Sequence, residues 1–164
     1  MAELLDSLLV HADPAVDELL APFVSGTTDA SLHLGVFVEP YLGFMLDGSK
    51  TVESRFSINR CPPYGRVKAG DVILLKGAGR PVVGACRADY VWSYALDPHS
   101  LEGIRDRFSS AICAQEGFWA SRDQARYATL IRVTDVQRLP DTQITKRDRR
   151  GWVVLSEGRS GRLL

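Results

Sequence analysis

Residues 40–57 read PYLGFMLDGSKTVESRFS, and within this stretch a helix gives way to a turn and then to a strand. Pro40 supplies the φ of a first helical position, and Gly48 suits a left-handed C-terminal cap, so a short helix is predicted over 40–47. Beyond it the chain alternates: Val52, Ser54 and Phe56 fall on one face of a strand, Thr51, Glu53 and Arg55 on the other. Lys50, just past the glycine cap, is placed at a rim where helix ends and strand begins. Two explanations of the three clustered charges remain open at the level of pattern. Lys50, Glu53 and Arg55 form an ion-pair ladder on an outer strand face, worth at most about 1 kcal/mol, or they wall a cleft. In a cleft, a second cation such as Arg55 lowers a lysine pKa and frees its lone pair for work as base or nucleophile.

Outward from this stretch, residues 32–38 are a strand candidate, and Gly70-Asp71 turns the chain into a short buried strand over 72–75. Residues 82–91 place Val82, Gly84, Cys86, Ala88 and Tyr90 on one side and Arg87 and Asp89 on the other, the alternation of half-buried antiparallel sheet. Asp97-Pro98 starts an amphipathic helix through Leu101, Ile104, Phe108 and Ile112. A loop over 116–119 follows, and Ser121 is placed to cap a short turn. Strands are predicted over 127–136 and 152–155, with a basic loop at 146–150 between them. About five or six strands with short helices in the gaps predict an α+β fold, a small β-barrel with flanking helices rather than a doubly wound sheet. No G-x-G-x-x-G or Walker-type run exists, in keeping with that choice, and no cofactor is expected.

The chain of 164 residues is the length of one domain with a small appendage. Its 45% hydrophobic and 24% charged residues exclude a disordered or collagenous chain. No apolar run approaches the roughly 18 residues of a membrane span, so no membrane partner is expected. The start carries Glu3, Asp6 and Asp13 without Lys or Arg, unlike a secretory leader, and a cytoplasmic location is the expectation. Helices are predicted over 2–10 and 14–23, the second capped by Asp13, with a polar linker at 25–31. The division expected is therefore an acidic helical segment, 1–30, and a main domain, 31–164. Residues 1–49 hold eight acidic residues and no Lys or Arg, which leaves 50–164 at +8 and suggests a basic face that attracts phosphates. Cys61, Cys86 and Cys113 are scattered and predicted to be reduced and mostly buried; His11, His33 and His99 lack ligand spacing, so no metal site is expected.

The helix ending in Gly48-Ser-Lys-Thr51, the strand bearing Glu53 and Arg55, the turn Lys68-Ala-Gly-Asp71 and the strand beginning Val82-Val-Gly-Ala-Cys86 resemble the ASCH domain of the PUA-like superfamily across residues 32–155. The resemblance implies a PUA-like pseudo-barrel with a cleft beside the helix that ends in G-x-K-T. It implies RNA or a nucleotide as partner, single-stranded nucleic acid included. Some members of that family are ribonucleases, and others are amidohydrolases that remove an acetyl group from N4-acetylcytidine. In the amidohydrolase branch a lysine here works with a threonine three residues on and a glutamate after the following helix. Lys50 matches the lysine and Glu116 the glutamate, while Glu53 stands where the threonine would be.

Lys50, Glu53 and Glu116 are thus the catalytic candidates. Thr51, Arg55, Lys76, Arg87, Arg147, Arg149 and Arg150 are candidates for phosphate contact. Tyr41, Phe118, Trp119 and Trp152 offer rings for unpaired bases, Trp119 foremost because it lies in a loop beside Glu116. Three functions are weighed: a metal-independent hydrolase acting on RNA, an amidohydrolase of an acylated nucleoside, and a non-catalytic RNA-interaction module. In the last, the acidic N-terminal segment shields the basic cleft.

Overall fold

The computed structural model describes residues 1–10, 13–144 and 149–158. Helices α1 (Ala2–Leu9) and α2 (Pro14–Ser25) open the chain. The Asp13 carboxylate accepts the Val16 N–H at the start of α2, and Gly26, at φ 67°, ends it in the left-handed conformation. Then follow β1 (Leu32–Phe37), α3 (Tyr41–Asp47), β2 (Val52–Ser57), β3 (Val72–Gly77) and β4 (Val82–Ala95). The chain continues through α4 (Pro98–Ile112), a 3₁₀ turn at Ala120–Arg122, β5 (Tyr127–Thr142) and β6 (Trp152–Ser156). Asp97 and Ser100 form a reciprocal capping box at the start of α4.

Among the described residues the strands form one six-stranded sheet in the order β2-β5-β4-β3-β1-β6. β1 and β3 are parallel, and every other pair is antiparallel. β4 and β5 reach Ala95 and Thr142, beyond the expected ends at 91 and 136. They do so because their extensions pair with each other, Ala95 with Tyr127 and Val82 with Thr142. Their register breaks near Val82, Ala85 and Ala88. Such bulges bend a ribbon and increase its twist. The sheet curls into a half-barrel, and Arg55 of the edge strand β2 reaches backbone carbonyls at Val36 and Gly151, beside the opposite edge.

Leu5, Leu8, Val16, Leu19 and Leu20 of the N-terminal helices share one buried cluster with Leu32, Leu34, Val72, Leu74, Val82 and Leu139 of the sheet. The N-terminal helices therefore pack their leucine face on the sheet. Glu3, Asp6, Asp17 and Glu18 stay on the exposed side of these helices. No described residue of 1–31 lines the basic cleft described below.

A second buried cluster, with Phe37, Met45, Ile73, Leu75 and Ile131, fills the sheet beneath α3; a third packs α4 on Val52, Ala128 and Leu130. His33 is a core residue. The Trp152 indole N–H donates to its Nδ1 at 3.0 Å, which makes Nδ1 the acceptor and leaves the proton on Nε2, 2.9 Å from Asp71 Oδ2. Asp71 also accepts the backbone N–H groups of Ser31 and Lys68. The Gly70-Asp71 turn is thereby tied to β1 and β6. Of the cysteines only Cys86 is buried; Cys113 is half-buried and Cys61 exposed, because Cys61 lies in the loop after β2 rather than in an element. Among the described residues no helix is long and apolar enough to cross a membrane.

Leu20 is fully buried, so Leu20→Ala is expected to lower the unfolding free energy by about 2–5 kcal/mol. A shifted urea midpoint at unchanged slope reads this; an unchanged midpoint would mark the helices as a detachable appendage.

Candidate functional site

The site begins where α3 ends. Gly48 takes φ 83°, the Asp47 carboxylate accepts the Ser49 N–H at 2.8 Å, and the Lys50 N–H returns to Phe44 O at 3.0 Å. This tight turn sends the Lys50 side chain inward, so that it is 2% exposed and not on a rim. Its Nζ donates to Val52 O at 2.9 Å and to Ile112 O at 3.1 Å. Ile112 ends α4, where a carbonyl lacks an intrahelical partner and the helix dipole favours a cation. Thr51 is pinned by its backbone, donating to Ala111 O and accepting from Val133 N, with an exposed side chain outside the cleft.

Glu53, 5% exposed, lies between two cations: Oε1 is 3.8 Å from Lys50 Nζ and Oε2 3.7 Å from Arg55 Nη2. Its Oε1 also accepts the Ser54 N–H. Arg55 is fixed more tightly still. Its guanidinium donates to Gly151 O at 3.1 Å and Val36 O at 2.9 Å, and lies 4.8 Å and 5.1 Å from the ring centres of Phe37 and Trp152. Arg122 joins from the 3₁₀ turn, donating to Phe118 O at 2.8 Å with its guanidinium over the Phe118 ring.

Burial holds the Lys50 ammonium below its ordinary pKa; Glu53 and Cys113 oppose this, and Arg55 and Arg122 reinforce it. The cation effect foreseen for Arg55 is present, but desolvation is the larger cause. Burial likewise lowers Arg122, with Tyr41 and Glu53 opposing. With two hydrogens of Nζ given to carbonyls, the third position holds a proton in the ammonium and a lone pair in the free amine. The amine can therefore change protonation without losing either bond.

These side chains line a cleft of about 440 Å³ between β2 and the end of β1, a volume that suits a small ligand. Tyr41, Phe37, Phe56 and Phe118 supply its aromatic surface, and Ser54 and Ser121 hydroxyls; among the described lining residues three cations face the single carboxylate of Glu53. Lys50, Glu53 and Arg55 are brought together. Glu116 and Trp119 are not: they line an adjoining depression of about 450 Å³ that shares Phe118 with the cleft, because the chain turns at Gly117 (φ 80°) and the Trp119 indole N–H bonds Ser109 on α4. Lys76 is buried in β3 and donates to Gly77 O; Arg87 pairs with Asp135. Arg150 lines a second depression beyond Arg55, and Arg149 is exposed and lines neither. Lys146 and Arg147 lie outside the described residues.

Arg122, Phe37, Val36, Val38 and Ser121 are cleft residues not foreseen from the sequence, and Ser54 and Phe56, expected on the other face of β2, line it too. Ser121, expected as a turn cap, bonds Phe118 O from inside the 3₁₀ turn and faces the cleft. No local pattern marks Arg122, which reaches Lys50 only through the fold. Among the described residues no three His, Cys, Asp or Glu side chains gather as a metal site would require.

No protein-family model matches the chain, and no curated protein does. The structure is similar to that of an ASCH protein from Zymomonas mobilis, with a TM-score of 0.62 at 12% identity over 76% of this chain and 87% of that one. A mutant form of that Zymomonas mobilis protein gives a TM-score of 0.61 at 14% identity, covering 77% and 89%. The chain thus shares the fold of that Zymomonas mobilis ASCH protein.

Because the folded protein holds Lys50 below the ordinary lysine value of 10.5, the unfolded chain binds the extra proton between the two values. Stability attributable to Lys50 then rises with pH through that window and is flat below it. The unfolding free energy of the wild type minus that of Lys50→Met is expected to increase from neutral pH toward pH 10. A difference independent of pH would show an unperturbed amine.

Proposed function

We propose that the cleft binds a nucleotide of RNA and cleaves the chain beside it, with Lys50 as the base and Glu53 as its ionic partner. One observation carries this reading: a buried amine of lowered pKa sits beside a carboxylate in a cleft that two guanidinium groups also line. A lysine whose pKa is lowered holds more free amine at a given pH than an exposed lysine does, and that amine can accept a proton. In the proposed step the free amine of Lys50 takes the proton of a ribose 2′-hydroxyl. The 2′-oxygen attacks the adjacent phosphorus, and the 5′-oxygen leaves with its electron pair and takes a proton from water. Glu53 stabilises the ammonium formed. Arg55 and Arg122 face the charge that develops on the phosphoryl oxygens, where fixed donors act most strongly.

The same amine could attack an acyl carbon, as an amidohydrolase of an acylated nucleoside would require. Glu116, which that reading pairs with Lys50, lies outside the cleft and weighs against it. A binding module without catalysis would use the basic cleft alone.

Lys50→Met and Glu53→Gln are expected to lower RNA cleavage by about 10²–10⁴-fold while leaving oligonucleotide binding measurable, each preparation being checked by its melting temperature. Cleavage unaffected in folded Lys50→Met would remove this site from the reaction. Binding by wild type is expected to weaken as salt rises, through counterion release from the phosphates; a flat salt response would argue against a phosphate ligand.

A further inference from the structure

The groove between β2 and the opposite edge of the sheet continues past the cleft. Beyond Arg55 lies a second depression of about 250 Å³, walled by Phe56, Cys61, Pro62, Tyr64, Arg150 and Trp152. Arg55 and Phe56 line both depressions, so the guanidinium stands on the ridge between them. Two of its five N–H donors are spent on Val36 O and Gly151 O, and its side chain remains 22% exposed. Donors are left for an anion resting on the ridge.

The second depression has the chemistry of a stacking site. Tyr64 is half-buried and braced against Tyr127, ring centres 4.9 Å apart, and its backbone N–H is tied to Cys61 O. The ring is thus held in place before any ligand arrives. Pro62 and Phe56 add flat apolar surface, and no carboxylate occurs among the described lining residues. A planar ring attached to an anionic linker fits these features, and a nucleobase on a phosphodiester is such a ligand. An acidic peptide would satisfy the cations but not the flat rings.

We propose that this depression is a second base subsite, so that the protein takes single-stranded RNA of at least two nucleotides, with the linking phosphate on Arg55. The assignment rests on the RNA reading of the first cleft. It makes Arg55 a phosphate-positioning residue shared by two nucleotides and Tyr64 the stacking platform for the second base. A free acylated nucleoside would leave the second depression unused.

The test compares uridine monophosphate with a 5′-phosphorylated uridine dinucleotide made non-cleavable by 2′-deoxy substitution. The dinucleotide is expected to bind about five- to a hundred-fold more tightly, the worth of one stacked base. Tyr64→Ala should abolish most of that gain and leave affinity for the mononucleotide within twofold. Alkylation of the exposed Cys61 in the wild-type protein offers a readout that needs no variant. The dinucleotide should slow it and the mononucleotide should not. Mononucleotide binding without a dinucleotide gain, a gain that survives in folded Tyr64→Ala, or Cys61 left unprotected by bound dinucleotide would each overturn the subsite while the first cleft stands. Failure of both ligands to bind would overturn the subsite and the RNA reading together.

Discussion

The guanidinium of Arg55 holds the open side of this sheet together. A six-stranded sheet that curls without closing leaves two edges, here β2 and β6, with backbone groups that no neighbouring strand can pair. Arg55 projects from one edge and donates to carbonyls beside the other, at Val36 and Gly151. A planar fork can satisfy both at once, whereas an ammonium is a compact point charge on a flexible stem. The rings of Phe37 and Trp152 cover it, and Trp152 is itself held through His33 to Asp71. The Gly70-Asp71 turn, far from the cleft in the chain, therefore takes part in setting where the cleft's cation stands.

Lys50 is under the opposite constraint. Burying an ammonium is costly unless polar partners replace its water, and two backbone carbonyls and Glu53 do so. One of these carbonyls belongs to the last residue of α4, so the side chain that offers chemistry also completes a helix end. The structural role is compatible with the proposed chemistry because the free amine keeps two N–H donors. Deprotonation exposes a lone pair without breaking the bonds that join α3, α4 and β2. Such an arrangement would be lost with any residue that cannot both donate twice and release a proton.

Much of this was legible in short stretches. The glycine cap at Gly48 and the Gly70-Asp71 turn depend on neighbours in the chain and formed where expected; β2 formed too, but its burial does not alternate, with Glu53 buried and Ser54 and Phe56 lining the cleft beside Arg55. The cluster of Lys50, Glu53 and Arg55 was visible for the same reason. Thr51 was grouped with Glu53 and Arg55 by alternation, yet the strand begins only at Val52, and Thr51 still belongs to the turn. The acidic character of residues 1–30 suggested an appendage, because charge is conspicuous and a leucine face is not. Leu5, Leu8 and Leu20 reveal their role only once a sheet lies beneath them.

The amino-acid order was enough to specify the α+β class, the order of the elements and three of the charges at the cleft. It did so through local rules: helix caps, strand alternation and turn residues. What required the folded chain was the partition of candidates. Glu116 left the cleft, Arg122 entered it, Lys76 disappeared into β3, and Arg55 came to stand between two depressions. Each outcome depends on how bulges in β4 and β5 curl the sheet and bring residues 36, 55, 122 and 151 together. Curvature accumulates over the whole ribbon, and desolvation depends on everything packed around a charge, so neither is encoded in any one stretch of sequence.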